Sequence, residues 1–336
     1  MVHNCVGCGS KKWSLTEERK GYQLSTCSDC GLTFTVNPDY KPERYIAAYE
    51  GTSQEAHGIE KHGHSYGARR WHLKLETLAF CTPPLRLTPT EQSALKWLKS
   101  HAPRGALIID CGCGVGRFLQ ASQKAGFQGI GLEVSTGVVE LLNRRGLKAI
   151  EGLAPDFRWD GPEPFALTFF EVLEHLPDPG SIIEPLKKRF PSTCIVASVP
   201  SPSRADLLLY GRRDIADYPP HHFLRWTPTA LAAFFKRLGY SKITIQLPAP
   251  IGSELMPGLG RLFLLFSRPE RSLVLHKSAA RVRSEEASPL LKIGATAMLT
   301  VHRGYQMMMD FLGAPKAWFV HRKGASSSSM LVIAEP

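Results

Sequence analysis

From residue 90 to residue 247, short apolar runs alternate with stretches whose apolar residues recur every three or four positions. That rhythm predicts buried parallel strands separated by amphipathic helices, an α/β chain. The elements read as a helix over Thr90–Lys99, a strand over Ala106–Ile109, and a helix bearing Phe118, Leu119, Ala121 and Ala125 that stops at Gly126. Then come a strand Gly129–Val134, a helix Thr136–Arg145 and short strands at Lys148–Glu151 and Ala166–Phe170. A strand Cys194–Val199, closed by Pro200 and Pro202, precedes a Thr-capped helix Thr227–Leu238 and a strand Ser241–Leu247. Residues 250–326 are mostly helical by pattern, and Ser329–Ala334 forms one more strand.

The chemistry concentrates in the turn after the first strand, where Gly112, Gly114 and Gly116 alternate two residues downstream of Asp110, and Glu133 ends the next strand. Strand, glycine turn, helix, strand and acid make the first half of a nucleotide-binding fold. A phosphate loop would end in Gly-Lys-Ser/Thr, which Val115-Gly116-Arg117 does not supply. A dinucleotide fingerprint would need a third glycine where Arg117 stands. A carboxylate at the loop repels pyrophosphate but suits a ligand carrying an ammonium and a sulfonium. A plain strand-to-helix connection is the other use of such a turn.

Residues 1–37 carry Cys5-Val-Gly-Cys8-Gly9 and Cys27-Ser-Asp-Cys30-Gly31, two Cys-x-x-Cys pairs with 18 residues between them. That spacing fits a four-thiolate Zn2+ site made by Cys5, Cys8, Cys27 and Cys30, in a ribbon too small to fold on its own core. Redox chemistry is the competing use of paired cysteines. The other stretch of metal-binding residue types, His57, His62, His64 and His72, lacks tight pairing and reads as a solvated loop.

The Asp110-x-Gly-x-Gly-x-Gly116 loop resembles motif I of the class I S-adenosylmethionine (SAM) methyltransferases, and Glu171-Val-Leu-Glu174-His175-Leu-Pro-Asp-Pro179 resembles the post-strand motif of the branch that includes the ubiquinone O-methyltransferases. The resemblance implies a Rossmann-like seven-stranded sheet whose last strand, Ser329–Ala334, runs antiparallel to its neighbours. It implies SAM as cofactor, with Asp110, Gly112, Gly114 and Gly116 at the methionyl end, Glu133 and Val134 at the ribose, and Leu153 and Ala154 bracketing the adenine. Glu171 and His175 would face the ligand beyond the strands' carboxyl ends. Pro219-Pro-His221-His222 before an aromatic and Trp226-Thr also recurs in related sequences. A neutral imidazole accepts a hydroxyl proton near pH 7, so His221 or His222 is a candidate base, with lid anchoring as the alternative. Glu174 is a candidate catalytic acid or a member of a helix-start hydrogen-bond network. Tyr66 and Arg69, in a segment that covers the cofactor in related enzymes, are candidate pocket residues.

The resulting organisation is a zinc ribbon over residues 1–37, a helical linker or cap over 38–100, a SAM-binding core over 101–249, a basic helical insertion over 250–326 and the final strand over 327–336. Composition adds a net charge of +11, with 41 basic against 30 acidic residues, which suits an anionic partner. Residues 259–283 pair the apolar Leu259–Phe266 with Arg268, Arg271, Lys277, Arg281 and Arg283, and suit an anionic membrane surface, a helical cap or a homodimer. The absence of a signal pattern and of an 18-residue apolar run leads to the expectation of a cytoplasmic protein, peripheral at the inner face of the membrane if the insertion docks there. The expected reaction is methyl transfer to a hydroxyl of a small-molecule, sugar or lipid-linked acceptor. An RNA methyltransferase would use the charge and the ribbon, but the Asn/Asp-Pro-Pro-Tyr/Phe motif is missing after Phe170, which argues against nucleic acid. A non-catalytic SAM-fold scaffold is the third reading.

Overall fold

The computed structural model describes residues 4–41, 86–152, 154, 159–204, 217–251, 288–322 and 326–336. Residues 42–85 of the expected linker or cap, among them Tyr66 and Arg69, lie outside them, as do Leu153 and the whole basic segment 259–283. In chain order the elements are β1 (Trp13–Arg19), β2 (Tyr22–Cys27), β3 (Thr33–Thr35), α1 (Pro89–His101), β4 (Leu107–Cys111), α2 (Arg117–Lys124), β5 (Gln128–Glu133), α3 (Thr136–Arg144), β6 (Ala149–Glu151) and β7 (Ala166–Phe170). A 3₁₀ turn (Leu173–His175) follows, then α4 (Gly180–Arg189), β8 (Cys194–Pro200), β9 (Leu224–Arg225), α5 (Pro228–Arg237), β10 (Lys242–Gln246), α6 (Pro289–Arg322) and β11 (Ser329–Glu335).

The main sheet has seven strands in the order β10-β11-β8-β7-β4-β5-β6, as the resemblance implies. Its strands are parallel except β11, which runs antiparallel to both β8 and β10. Strand alternation splits the core between the sheet's two faces. Ile108, Ala166, Val196, Leu331 and Ile333 pack with Ala94 and Leu98 of α1 and Phe118 of α2. Ile109, Leu167, Phe169, Ala197, Val199, Val332 and Ala334 pack with Ile183 and Leu186 of α4 and with Leu231, Phe234 and Phe235 of α5.

The run Ser326–Ser329 is largely interior. Ser326 and Ser327 are buried and Ser329 opens β11. Ser201 reaches this run twice, its amide donating to Ser328 O and its hydroxyl to Ser327 O at 2.7 Å, so small hydroxylic residues enter the core without losing their partners.

A second sheet, in the order β1-β2-β3-β9, joins the N-terminal ribbon to the methyltransferase-like core. Cys5, Cys27, Cys30, Leu32 and Phe34 share one buried cluster with Phe223, Leu224, Trp226 and α5. The ribbon, the seven-stranded sheet and Ser326–Pro336 form one compact unit, and α6 belongs to a second. Within that helix Ala295, Leu299, Met309 and Ala317 are buried, while Leu290, Phe311 and Trp318 are exposed. No helix among the described residues is long and apolar enough to cross a membrane.

Candidate active site and cysteine centre

The glycine loop owes its shape to backbone that only glycine adopts cheaply. Gly112 has φ +73°, and a Cβ there would lie 2.8 Å from Cγ2 of Val172. Gly114 has φ +52°, yet its Cβ would meet nothing within 4 Å. The first glycine therefore allows two chain segments to approach, and the second leaves a cradle. Gly116, also left-handed, is the N-cap of α2.

Glu133 fixes that cradle. Its Oε2 accepts from Gly114 N at 2.9 Å, while Oε1 accepts from Val134 N at 2.9 Å and Ser135 N at 3.3 Å. Asp110 lies one strand over, 3% exposed. Register pairs it with Thr168 of β7, whose hydroxyl donates to its Oδ1 at 2.6 Å. Burial, with Glu91 and Glu133 nearby, pushes the Asp110 carboxyl up to about 7 against the pull of the Thr168 hydroxyl and Arg117. A cation arriving at this end would draw the proton off. Ala154 is half-buried against the same core, and Gly152 N donates to Glu133 O. An acid ready for a cation, a carboxylate at a β-strand end and a glycine cradle with room beside it fit the chemistry of SAM.

Beyond β7 the chain turns abruptly. Glu171 is non-glycine yet has φ +55°, a conformation costing about 1–2 kcal/mol. Ser198 holds it there: Glu171 N donates to Ser198 O at 2.9 Å, and Ser198 Oγ donates to Glu171 Oε1 at 2.8 Å. The turn delivers Glu174 and His175 to the segment 217–223. His175 Nδ1 meets His221 O at 2.7 Å, so the imidazole presents Nε2 to the other side. The His175 and His222 rings meet edge to face, with centroids 4.8 Å apart. His222 Nδ1 faces Asp217 Oδ1 at 3.5 Å, and the same oxygen lies 3.1 Å from Arg204 Nε.

The structure thus brings Glu174, His175 and His222 together, with one donor atom of each within 4.8 Å of the others, a set able to share a proton or hold a divalent cation. His221 is buried too, and its carbonyl anchors His175. Sequence reasoning missed Asp217 and Arg204. Their only signal is an acid four and five residues ahead of the two histidines.

The four cysteines converge as well. Cys5 and Cys30 Sγ lie 3.6 Å apart, Cys8 and Cys27 Sγ 3.5 Å, and all four fall within 4.8 Å of one another. Tetrahedral Zn–S bonds of about 2.3 Å place sulfurs about 3.8 Å apart, so the set fits Zn2+. Burial raises the Cys5 thiol to about 11 and Cys30 further still. A divalent ion is what would let these buried sulfurs carry charge together.

Against known proteins, a family model described as a methyltransferase domain matches residues 89–245. A ubiquinone biosynthesis O-methyltransferase from Ralstonia nicotianae is 31% identical over 99 residues, 26% of this chain and 41% of that protein. One from Actinobacillus pleuropneumoniae serotype 7 is 31% identical over 117 residues, 31% of this chain and 47% of that protein. The chain therefore spans less than half the length of these relatives. A solved SAM-dependent methyltransferase from Archaeoglobus fulgidus aligns at 15% identity and a TM-score of 0.39, over 73% of this chain and 94% of that one. The matched residues carry the glycine loop, Glu133 and the Glu171–Pro179 run together, and residues 89–245 are a methyltransferase domain of the class I SAM-dependent family.

Proposed function

We propose that the protein methylates a hydroxyl oxygen of a small or lipid-linked acceptor, with His222 as the proton acceptor. The observation that carries this reading is the approach of Asp217 Oδ1 to 3.5 Å from His222 Nδ1, which puts a carboxylate beside a ring that gains charge when it takes a proton. The O-methyltransferase names of the relatives agree with an oxygen target. Bound SAM supplies an electrophilic methyl on a sulfonium. Asp110 and the glycine loop would hold its methionyl end, and Glu133 and Val134 its ribose. The glycine loop and segment 217–223 would hold donor and acceptor oxygen together, and SAM would supply the methyl group with its sulfur keeping the electron pair of the C–S bond. The hydroxyl proton passes to His222, and the imidazolium is steadied by the Asp217 carboxylate. Holding the two reactants in line can account for about 7–11 kcal/mol of the barrier.

The test combines calorimetry with S-adenosylhomocysteine and transfer of labelled methyl groups to a panel of phenols, catechols, sugars, prenylated phenols and amines. His222→Ala should leave S-adenosylhomocysteine affinity within about twofold and slow transfer about 10²–10⁴-fold. Full transfer by His222→Ala moves the base elsewhere. Methylation confined to amine acceptors overturns the oxygen target.

A further inference from the structure

The cysteine ribbon touches the proposed chemistry through one residue. Phe223 follows His222 directly. Its N–H donates to Glu174 O at 2.9 Å, and its carbonyl accepts from Thr35 N at 3.0 Å and Thr35 Oγ1 at 3.1 Å. The backbone at 223 is therefore spliced between the ribbon's β3 and the turn that carries Glu174 and His175. The pairing continues as Phe34↔Leu224 and Thr33↔Arg225, and Arg225 Nη2 reaches back to Glu17 of β1 at 3.2 Å.

Both cysteine knuckles grip the residues that follow. Thr227 Oγ1 donates to Cys30 O at 2.7 Å while capping α5 at Ala230 N. Arg237, at the far end of α5, donates to Val6 O at 2.8 Å and Gly7 O at 3.3 Å. The tyrosine rings of Tyr22 and Tyr40 pack edge-on against Phe223, and Arg19 of β1 stacks 3.8 Å over Tyr218. Contacts thus bracket His221 and His222 on both sides, at Tyr218 and at residues 223–227.

The geometry points to the ribbon as the positioning element of the histidine segment: metal held by Cys5, Cys8, Cys27 and Cys30 stiffens both knuckles, and β3 passes that rigidity to His222 through Phe223. The two-residue β9 cannot hold its place alone, because a strand that short has too few ladder bonds of its own. Thr35, Thr227 and Arg225 are positioning residues in this scheme. It rests on the reading of His222 as proton acceptor only for its catalytic consequence; the mechanical claim stands separately.

The experiment is amide hydrogen exchange on the full chain, zinc-loaded and chelator-treated, alongside calorimetry with S-adenosylhomocysteine. Chelation should raise exchange in residues 217–227 at least about tenfold, leave β5 unchanged, and keep S-adenosylhomocysteine affinity within about twofold. Thr35→Pro supplies a metal-independent arm. It removes the N–H that faces Phe223 while leaving β3 able to pair with β2 on its other side. It should retain zinc and give the same local rise, and the gentler Thr35→Val a smaller one. Unchanged exchange in 217–227 after zinc loss, or in zinc-loaded Thr35→Pro, overturns the proposal. So does loosening of the whole sheet with loss of S-adenosylhomocysteine binding, which would make the ribbon a general stabiliser. Failure of the zinc-loaded protein to bind S-adenosylhomocysteine at all would count against the methyl-transfer reading and leave the exchange result standing.

Discussion

Asp110→Asn should stabilise the ligand-free protein, and by an amount that depends on pH. In the folded chain the Asp110 carboxyl titrates at about 7, against an ordinary value of 3.8. Below about pH 4 the group is neutral in folded and unfolded chains alike and makes no difference between them. Between pH 4 and 7 the unfolded chain loses the proton while the folded one keeps it, so stability falls as pH rises, by about 1.4 kcal/mol per unit. Above pH 7 the loss levels off near ~4 kcal/mol, an upper bound because the site can relax around the charge. Asparagine removes the titration and still accepts from Thr168 Oγ1. Scanning calorimetry of both proteins from pH 4.5 to 8.5 should therefore show melting temperatures that diverge with pH, the variant ahead by about 10 °C at pH 8. Saturating S-adenosylhomocysteine should reverse the order, because its ammonium favours the ionised wild-type carboxylate. A gap that stays constant across the pH range would show that burial does not hold the proton on Asp110, and a variant unimpaired in ligand binding would remove its role at the methionyl end.

Glu133→Gln replaces one acceptor oxygen with an NH₂ that faces backbone donors, and charge-assisted hydrogen bonds are worth about 1.5–3 kcal/mol each. S-adenosylhomocysteine affinity by calorimetry should fall at least about tenfold. The two glycine substitutions should separate stability from binding. Gly112→Ala meets Val172 at 2.8 Å in a left-handed backbone and should cost about 2–4 kcal/mol in thermal or urea denaturation. Gly114→Ala, whose new methyl has open space, should cost about 1–2 kcal/mol and chiefly abolish ligand binding. Cys27→Ser should reduce zinc from about one ion per chain to nearly none by metal analysis, since a structural site needs all four ligands.

Much of this architecture is legible in the sequence because parallel strands buried on both faces must be apolar throughout. Ala166–Phe170 is a strand with those very bounds, and Cys194, Lys242 and Ser329 open strands within a residue of where the pattern begins them. The alternating glycines and the paired cysteines are legible for a different reason: their chemistry requires fixed spacing along the chain. What the sequence hides is whatever depends on register or on partners far away. Thr168 bonds Asp110 only because β4 and β7 pair in parallel, 58 residues apart. Asp217 and Arg204 meet from separate parts of the chain, and a lone Asp or Arg has no periodicity to betray it. The left-handed Glu171 is invisible because its side chain is ordinary for an exposed turn, and Ser198 stabilises it from the next strand. The docking strand Leu224–Arg225 is too short to carry any alternation at all.

The antiparallel pair β10–β11 has a consequence for how the gene can grow. Gln246 sits opposite Leu331, and Ser327 N donates to Pro248 O at 2.7 Å, so the chain leaves and re-enters the sheet at adjacent points. Topologically the intervening residues are the turn of a hairpin that happens to be very long. The entropic toll of such a detour rises only with the logarithm of its length, about 0.6 kcal/mol per doubling, so expansion from a few residues to several dozen adds about 2–3 kcal/mol. Recombination at this junction can therefore exchange one insert for another while the cofactor cradle keeps its shape, and descendants of a single scaffold can acquire different attachments at that one seam.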